Sequence, residues 1–248
     1  MNFDYDKIAH SVVKIEAGNS AGSGFHFCEK NIIVTNAHVV RDAYANGCKI
    51  YAKIDDKQYE LICKKIEEKN GNDFAILRAL EAFPNDREVL TVASNPDYAI
   101  GTEVVYAGFP HGFDDLILQR AIIAGCYNNN NCNKFYIDGP VNEGNSGGPI
   151  IRLSDNAIIG IISARRFIKG DLDKLISSVN AFKELAIQQS KNVSISFGGI
   201  NYNVEMAKSL AGIANIFRNV VLCNANTGLG VGQKIENCLK THKESINQ

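Results

Sequence analysis

The most informative stretch of this 248-residue chain is Gly144-Asn145-Ser146-Gly147-Gly148-Pro149. A serine hydroxyl is a poor nucleophile unless a base removes its proton and hydrogen-bond donors stabilise the oxyanion that its attack creates. The glycines on both sides of Ser146 let the backbone fold so that the N–H groups of Gly144 and Ser146 point into one small concavity. Taken alone, the segment also fits a tight turn, so its interpretation depends on what accompanies it.

Two upstream segments supply the partners that a nucleophilic serine needs. The run from Ile33 to Val40 predicts a strand that ends at His38, and Asp73 directly precedes the buried-strand pattern Phe74 to Leu77. A single histidine or a turn-capping aspartate is commonly structural. The three together, in the order His, Asp, Ser, follow the chain order of the chymotrypsin-fold proteases.

The hydrophobic pattern divides the chain into two kinds of structure. From Ser11 to Ala164 it predicts about a dozen short strands with few helix-length segments between them, which favours antiparallel sheets or barrels because parallel strands need crossover helices. After Arg166 the pattern becomes helical, with one apolar face between Leu172 and Ala186 and another between Ala207 and Phe217. A hairpin is predicted between these two helices, from residue 193 to residue 204.

The sequence resembles the trypsin-like serine peptidases, and especially their HtrA-type branch. The matching segments appear in the family's order: Gly22 to Phe25, Thr35 to Val40, Asp73 to Leu77, Gly108 to Gly112, Gly144 to Pro149, and Gly160 to Ser163. The resemblance implies a mainly β, chymotrypsin-like fold of two six-stranded antiparallel β-barrels with the active site between them. It assigns His38 as general base, Asp73 as its orienting carboxylate, Ser146 as nucleophile, and the amides of Gly144 and Ser146 as the oxyanion hole. The implied activity is that of a serine endopeptidase that forms an acyl-enzyme intermediate on protein or peptide substrates.

The same resemblance suggests a domain arrangement. Residues 1–95 would form the N-terminal barrel with His38 and Asp73, and residues 96–248 the C-terminal barrel with Ser146. Gly228 to Gly232 and the helical run that follows look like the end of the second barrel, so residues 167–226 are expected to be a helical insertion, with no room left for the PDZ domain that HtrA proteins usually append. In this family the insertion point borders the specificity pocket. The insertion is therefore either a packed appendage or a substrate-gating or regulator-binding element.

The residues expected to bind substrate follow from the same comparison. The pocket wall is assigned to Ser163, Ala164 and Arg165, and the pocket base to Pro140 and Val141. No acid lies at the base position that trypsin uses, so small or medium apolar residues are expected before the scissile bond. Arg165 and Arg166 leave an acidic preference open.

Composition and charge exclude several other classes of partner. The chain has 26 basic and 27 acidic residues and a formal net charge of -1. With no run of like charges and no apolar stretch of about 18 residues, we expect neither nucleic acid nor membrane as a partner. No pattern supports a metal site or a cofactor.

Because Asn145 stands where cleavage-activated trypsins carry an aspartate, activation by N-terminal cleavage is not expected.

The cysteines suggest a compartment. The chain has seven of them and no C-x-x-C pair. Since no export signal is predicted either, we expect buried or half-buried free thiols in a reducing cytosol and hence a cytoplasmic protein. Cys126 and Cys132 flank a polar loop and are the one pair that could be bonded.

Two other functions compete with the peptidase hypothesis. The segment around Ser146 also fits the nucleophile elbow of α/β-hydrolases, with Asp171 or Asp173 and His242 as partners. That fold is disfavoured because an elbow serine opens a helix, whereas Pro149 to Leu153 predicts a strand. The second alternative is a catalytically silent trypsin-fold binding or scaffolding module, which is disfavoured because all three positions of the triad are filled.

Overall fold

A computed structural model describes residues 4–246, apart from residues 95, 127–132, 168–170, 193–195, 198–199 and 225. The N-terminal helix α1, Tyr5–Ala9, precedes a first closed barrel whose neighbours in order are β1, β2, β3, β6, β5 and β4. Its strands are β1 Val12–Ala17, β2 Ser20–Phe27, β3 Glu29–Thr35, β4 Ile50–Ile54, β5 Lys57–Glu67 and β6 Phe74–Ala79. A helix, α2 Ala37–Ala45, lies between β3 and β4.

A second closed barrel has the order β10, β11, β14, β9, β8 and β7. Its strands are β7 Glu103–Gly108, β8 Ile117–Cys126, β9 Lys134–Asp138, β10 Pro149–Arg152, β11 Ala157–Phe167 and β14 Asn226–Lys234. Helix α5, Glu236–Ile246, follows the last strand. The predicted fold class, two six-stranded antiparallel barrels, is therefore confirmed.

The segment between β11 and β14 is the predicted helical insertion. It contains α3 Asp171–Asn192 and α4 Tyr202–Asn224, and between them a two-stranded sheet of β12 Ser196–Phe197 and β13 Ile200–Asn201. Residues 166–227 form a compact unit of their own. Both helices are longer than their predicted apolar faces.

The two barrels share a hydrophobic core. One buried cluster contains Phe25 and Phe74 from the first barrel together with Ile151 and Ile161 from the second. Each barrel also has an interior cluster of its own. The first barrel's strands end at Ala79 and those of the second begin at Glu103. The boundary between residues 95 and 96 stays a prediction.

The structure corrects the prediction for His38. Strand β3 ends at Thr35, and His38 lies in the first turn of α2 instead of at a strand end. The apolar run that suggested a strand continues as a helix because its later members fall on one helical face, where Val39, Val40 and Ala43 are buried.

Other sequence features can be compared within the described ranges. Cys28, Cys48, Cys63, Cys126 and Cys238 carry free thiols, whereas Cys132, the proposed partner of Cys126, lies outside the described residues. Among the helices that the structure describes, none combines the length and apolar character that a membrane-spanning helix needs. The described His, Cys, Asp and Glu residues form no cluster that could hold a metal ion.

Candidate active site

His38 and Asp73 meet at one end of the first barrel. Strands β3 and β6 are paired so that Thr35 lies opposite Ala75, which brings the residues after β3 next to those before β6. The Nδ1 atom of His38 lies 2.7 Å from Oδ2 of Asp73. The backbone N–H of His38 donates to the other carboxylate oxygen at 3.1 Å. Two contacts therefore fix the orientation of the imidazole relative to the carboxylate.

Three further residues hold Asp73. The hydroxyl of Ser163, on β11, donates to Oδ2 of Asp73 at 3.0 Å. The side chain of Asn36 donates to the Asp73 carbonyl at 2.7 Å, and the Asp73 N–H donates to Oε1 of Gln233, on β14, at 2.8 Å. Because Ser163 and Gln233 belong to the second barrel, both barrels position the acid.

The surroundings of Asp73 keep its carboxylate ionised. Burial raises the pKa of this carboxyl, but the hydrogen bonds and charge interaction with His38 and the hydrogen bond from Ser163 outweigh it, so the pKa lies below its ordinary value. The side chain of Asp73 is 18% exposed and that of His38 is 36% exposed. The pair thus faces solvent mainly through the imidazole.

The turn that contains Ser146 is packed against the first barrel. The N–H of Ser23 donates to the Ser146 carbonyl at 2.8 Å. A Cβ on Gly22 would lie 2.8 Å from Val39 Cγ2 and 2.9 Å from the Ser146 carbonyl oxygen. Glycine at position 22 therefore lets the Ser146 backbone approach the residue that follows His38.

Gly147 makes a second close approach. It has a φ of +90°, and a Cβ there would lie 2.1 Å from the Ser23 carbonyl oxygen and 2.3 Å from Thr35 Oγ1. Thr35 is the last residue of β3, three positions before His38. The two glycine contacts thus bring the serine turn to the His38 end of the first barrel.

Gly144 and Ser146, the residues predicted to form the oxyanion hole, lie in the same turn. Within the turn, the N–H groups of Asn145 and Gly148 donate to the carbonyls of Asn142 and Asn145, and the Gly147 N–H ties the turn to the Ile162 carbonyl on β11. Gly144 has a φ of +94°, and a Cβ there would lie 2.1 Å from the Phe109 carbonyl oxygen. The hydroxyl of Ser23 donates to the Gly144 carbonyl at 2.7 Å and accepts from the Phe109 N–H at 3.0 Å.

The residues predicted to bind substrate are in varied environments. Pro140 is exposed and its carbonyl accepts from the Tyr106 hydroxyl at 3.2 Å. Val141 is 1% exposed, and its Cγ2 lies 2.4 Å from where a Cβ on Gly230 would be. The side chains of Ala164 and Arg165 are outside the described part of the chain. Their binding roles, and that of Ser163, stay predictions.

Sequence reasoning missed three residues that support the site. Asn36 and Ser23 lie inside two of the segments that match the family. The match could have indicated a role for them, but only the neighbouring histidine and glycines were interpreted. Ser163 was assigned to the pocket wall, and its hydrogen bond to Asp73 was not foreseen. Gln233 lies 160 positions from Asp73, and no sequence pattern links the two.

A two-barrel fold that joins a histidine–aspartate pair to a glycine-flanked serine is the arrangement of trypsin-like peptidases. The family model described as "Trypsin-like peptidase domain" matches residues 22–161. Since this match covers more than half of the chain, the chain belongs to that family, and the resemblance inferred from the sequence is confirmed.

Individual relatives agree with this assignment. A "Probable periplasmic serine endoprotease DegP-like" of Pseudomonas fluorescens is 34% identical over 58% of this chain and 29% of its own length. "Serine protease HTRA1A" of Danio rerio is 32% identical over 63% of this chain and 32% of its own. The chain thus spans about a third or less of these relatives. The crystal structure of the serine endoprotease from Yersinia pestis shares the fold, with a TM-score of 0.54 and 22% identity over 67% of this chain and 59% of that one.

The relatives overturn the predicted cytoplasmic location. Several are named as periplasmic proteins, which points to a periplasmic or extracellular location instead. The prediction was wrong because it used unpaired cysteines as a marker of the cytosol. A disulfide needs two Cα atoms within about 7 Å, so cysteines that lie apart stay free thiols in an oxidising compartment too.

Proposed function

We propose that the chain is a serine endopeptidase in which Ser146 attacks the peptide carbonyl, His38 acts as general base and Asp73 orients the imidazole. The observation that carries this proposal is the contact of 2.7 Å between His38 Nδ1 and Asp73 Oδ2, at the place where the serine turn packs on the first barrel. An ionised Asp73 accepts the Nδ1 hydrogen. The Nε2 atom of the neutral imidazole is then free to accept a proton.

The reaction follows from these roles. His38 Nε2 takes the hydroxyl proton as Ser146 Oγ bonds to the carbonyl carbon, and the N–H groups of Gly144 and Ser146 stabilise the oxyanion. The proton passes from His38 to the leaving amine as the C–N bond breaks and an acyl-enzyme remains. Water then attacks the acyl carbon as His38 takes its proton, and His38 returns that proton to Ser146 Oγ as the C–Oγ bond breaks and the carboxylic acid product leaves.

The names of the relatives support proteins or peptides as the substrate class. One relative is named a serine endoprotease and another a serine protease, so we infer that this chain cleaves proteins or peptides. The pocket base assigned to Pro140 and Val141 carries no acid, which supports a preference for small or medium apolar residues before the scissile bond. A peptide-library profile measures this preference directly, and one dominated by Lys or Arg would contradict it.

The insertion 167–226 is proposed as a binding site for a protein regulator. It continues directly from β11, the strand whose Ser163 hydroxyl bonds to Asp73. Its helices expose large apolar side chains, among them Phe182, Leu185, Ile213, Ile216 and Phe217. A partner that shifts β11 on binding would act on Asp73 through the hydrogen bond from Ser163.

A serine-directed phosphonate probe tests the central proposal. We expect it to label the wild type and Ser178→Ala, a control that removes an exposed serine on α3, but not Ser146→Ala. Peptide hydrolysis should fall about six orders of magnitude in Ser146→Ala or His38→Ala, because triad residues act as a unit. In Asp73→Asn it should fall about 10⁴-fold, because the amide favours the wrong imidazole tautomer.

Two results would overturn this function. Cleavage by Ser146→Ala at the wild-type rate would remove Ser146 from the chemistry. A wild type that is folded yet neither labelled nor active would instead favour the silent trypsin-fold binding module.

A further inference from the structure

Two lysines face each other on neighbouring strands of the first barrel. Lys14 on β1 lies directly opposite Lys53 on β4. Like charges in such a pair repel each other, and only 10% of the Lys14 side chain is exposed. An arrangement of this kind needs a counter-charge.

Asp114, from the second barrel, provides that charge. Its Oδ1 atom lies 2.9 Å from the Nζ atoms of both lysines. Lys14 Nζ also donates to the Gly112 carbonyl at 3.0 Å. Hydrogen bonds from Lys14 and Lys53 lower the pKa of Asp114 to about 2, so the contact persists in moderately acidic solution.

Asp114 and Gly112 belong to the β7–β8 loop, residues 109–116. The start of this loop contacts the serine turn, residues 142–148, which in its proposed role is called the oxyanion turn. The N–H of His111 donates to the Glu143 carbonyl at 2.7 Å. The Phe109 carbonyl oxygen lies 2.1 Å from where a Cβ on Gly144 would be. One short loop therefore touches the lysine pair through Gly112 and Asp114 and the oxyanion turn through Phe109 and His111.

The loop has a backbone conformation that needs outside support. His111 has a φ of 55°, in the left-handed region that residues other than glycine seldom adopt, and Gly112 follows with a φ of +75°. Such a conformation persists only where surrounding contacts fix it. The lysine contacts fix it on one side, and Glu143 and Gly144 on the other.

We propose that Lys14, Lys53 and Asp114 are positioning residues that hold the oxyanion turn in its working geometry through the β7–β8 loop. The proposal rests on the proposed peptidase function and deepens it. None of the three touches the reacting atoms. Their effect reaches the Gly144 N–H through Phe109, His111 and Glu143.

The test compares Asp114→Asn with Glu60→Gln. The control removes the carboxylate of another lysine–carboxylate contact in the first barrel, in which Lys49 Nζ lies 2.6 Å from Glu60 Oε2. In steady-state hydrolysis, Asp114→Asn should lower kcat about tenfold and leave KM nearly unchanged. This loss is smaller than the 10²- to 10³-fold decrease in kcat on removing an oxyanion donor, because the donor is still present but less well positioned. Affinity for a peptide boronic acid should fall by a similar factor. Asp114→Glu should recover part of both losses, and Glu60→Gln should match the wild type.

A second measurement separates this proposal from the peptidase proposal. In a Ser146→Ala background, amide hydrogen exchange of residues 142–148 should be faster with Asp114→Asn than without it, and unchanged with Glu60→Gln. A wild type without peptidase activity would end the peptidase proposal, while faster exchange in this segment would still support positioning by the loop.

Three results would overturn the positioning role. The first is that Asp114→Asn and Glu60→Gln have the same kcat and the same amide exchange. The second is that Asp114→Asn lowers the melting temperature but changes neither kcat nor exchange. The third is that Asp114→Asn speeds exchange of residues 142–148 while kcat of the active enzyme does not change.

Discussion

Acidification should destabilise the first barrel through His26, a histidine outside the proposed chemistry. Its side chain is fully buried; Nδ1 lies 2.6 Å from the Lys30 carbonyl oxygen and Nε2 lies 3.4 Å from Arg87 Nε. Since a guanidinium can only donate, Nε2 is the acceptor and Nδ1 carries the hydrogen. A second proton would be placed on Nε2, directly against the Arg87 cation.

The magnitude follows from the pKa of this imidazole. Burial, together with the charges of Arg87 and Lys30, lowers the pKa of His26 from 6.5 to about 4 despite the hydrogen bond to the Lys30 carbonyl. Between these values the unfolded chain binds a proton that the folded chain does not, so stability falls as the pH falls. At about 1.4 kcal/mol for each pKa unit, the free energy of unfolding should drop by about 3 kcal/mol between pH 7 and pH 4. That is a large part of the 5 to 15 kcal/mol that holds an ordinary domain together.

Urea unfolding followed by far-ultraviolet circular dichroism measures this drop. The Ser146→Ala background removes self-cleavage, and His26→Asn keeps a donor near the Lys30 carbonyl while removing the titration. The wild-type histidine should lose about 3 kcal/mol more than His26→Asn over this pH range. Equal losses in the two proteins would refute the reasoning, as would a His26 pKa above 6 from nuclear magnetic resonance.

Two further perturbations follow from the glycines and the insertion. Gly147→Ala places a Cβ 2.1 Å from the Ser23 carbonyl oxygen, so we expect a loss of several kcal/mol in urea unfolding and no detectable hydrolysis. Gly47→Ala is the matched control, because Gly47 also has a positive φ, +67°, but an added Cβ there meets nothing within 4 Å; a cost above about 1 kcal/mol would contradict the steric argument. Replacing residues 168–225 with a short Gly-Ser linker should leave the barrels folded by circular dichroism and change the cleavage rate or specificity, and wild-type values would make the insertion an appendage.

The parts of the fold that the sequence predicted are those where one residue type is required at one position. Gly144 and Gly147 are needed because their left-handed backbone and backbone contacts near 2 Å exclude any side chain. The strands were predictable because short runs rich in Val and Ile and bounded by turn residues are typical of buried strands, and β1 and β6 are indeed buried at nearly every position. The barrel assignment itself came from the order of His38, Asp73 and Ser146 and from the family resemblance.

The remaining features depend on contacts between distant parts of the chain. Val39 and Val40 are β-branched and favour a strand locally, yet they form a helix because burial of its inner face outweighs that preference. Gln233 was missed because a backbone N–H can be satisfied by any nearby acceptor, and only the folded chain places this one beside Asp73. Lys14 and Lys53 likewise look like ordinary surface residues until the pairing of β1 with β4 sets them opposite each other.

Both halves of the candidate site depend on contacts across the boundary between the barrels. The acid lies in the first barrel, but its hydrogen bonds from Ser163 and to Gln233 come from the second. The serine turn lies in the second barrel, but Ser23 of the first bonds to the carbonyls of both Gly144 and Ser146. A shift of one barrel against the other would therefore disturb Asp73 and the serine turn together. This shared dependence explains why the buried cluster that joins Phe25 and Phe74 to Ile151 and Ile161 matters for the site, although none of its side chains takes part in the proposed chemistry.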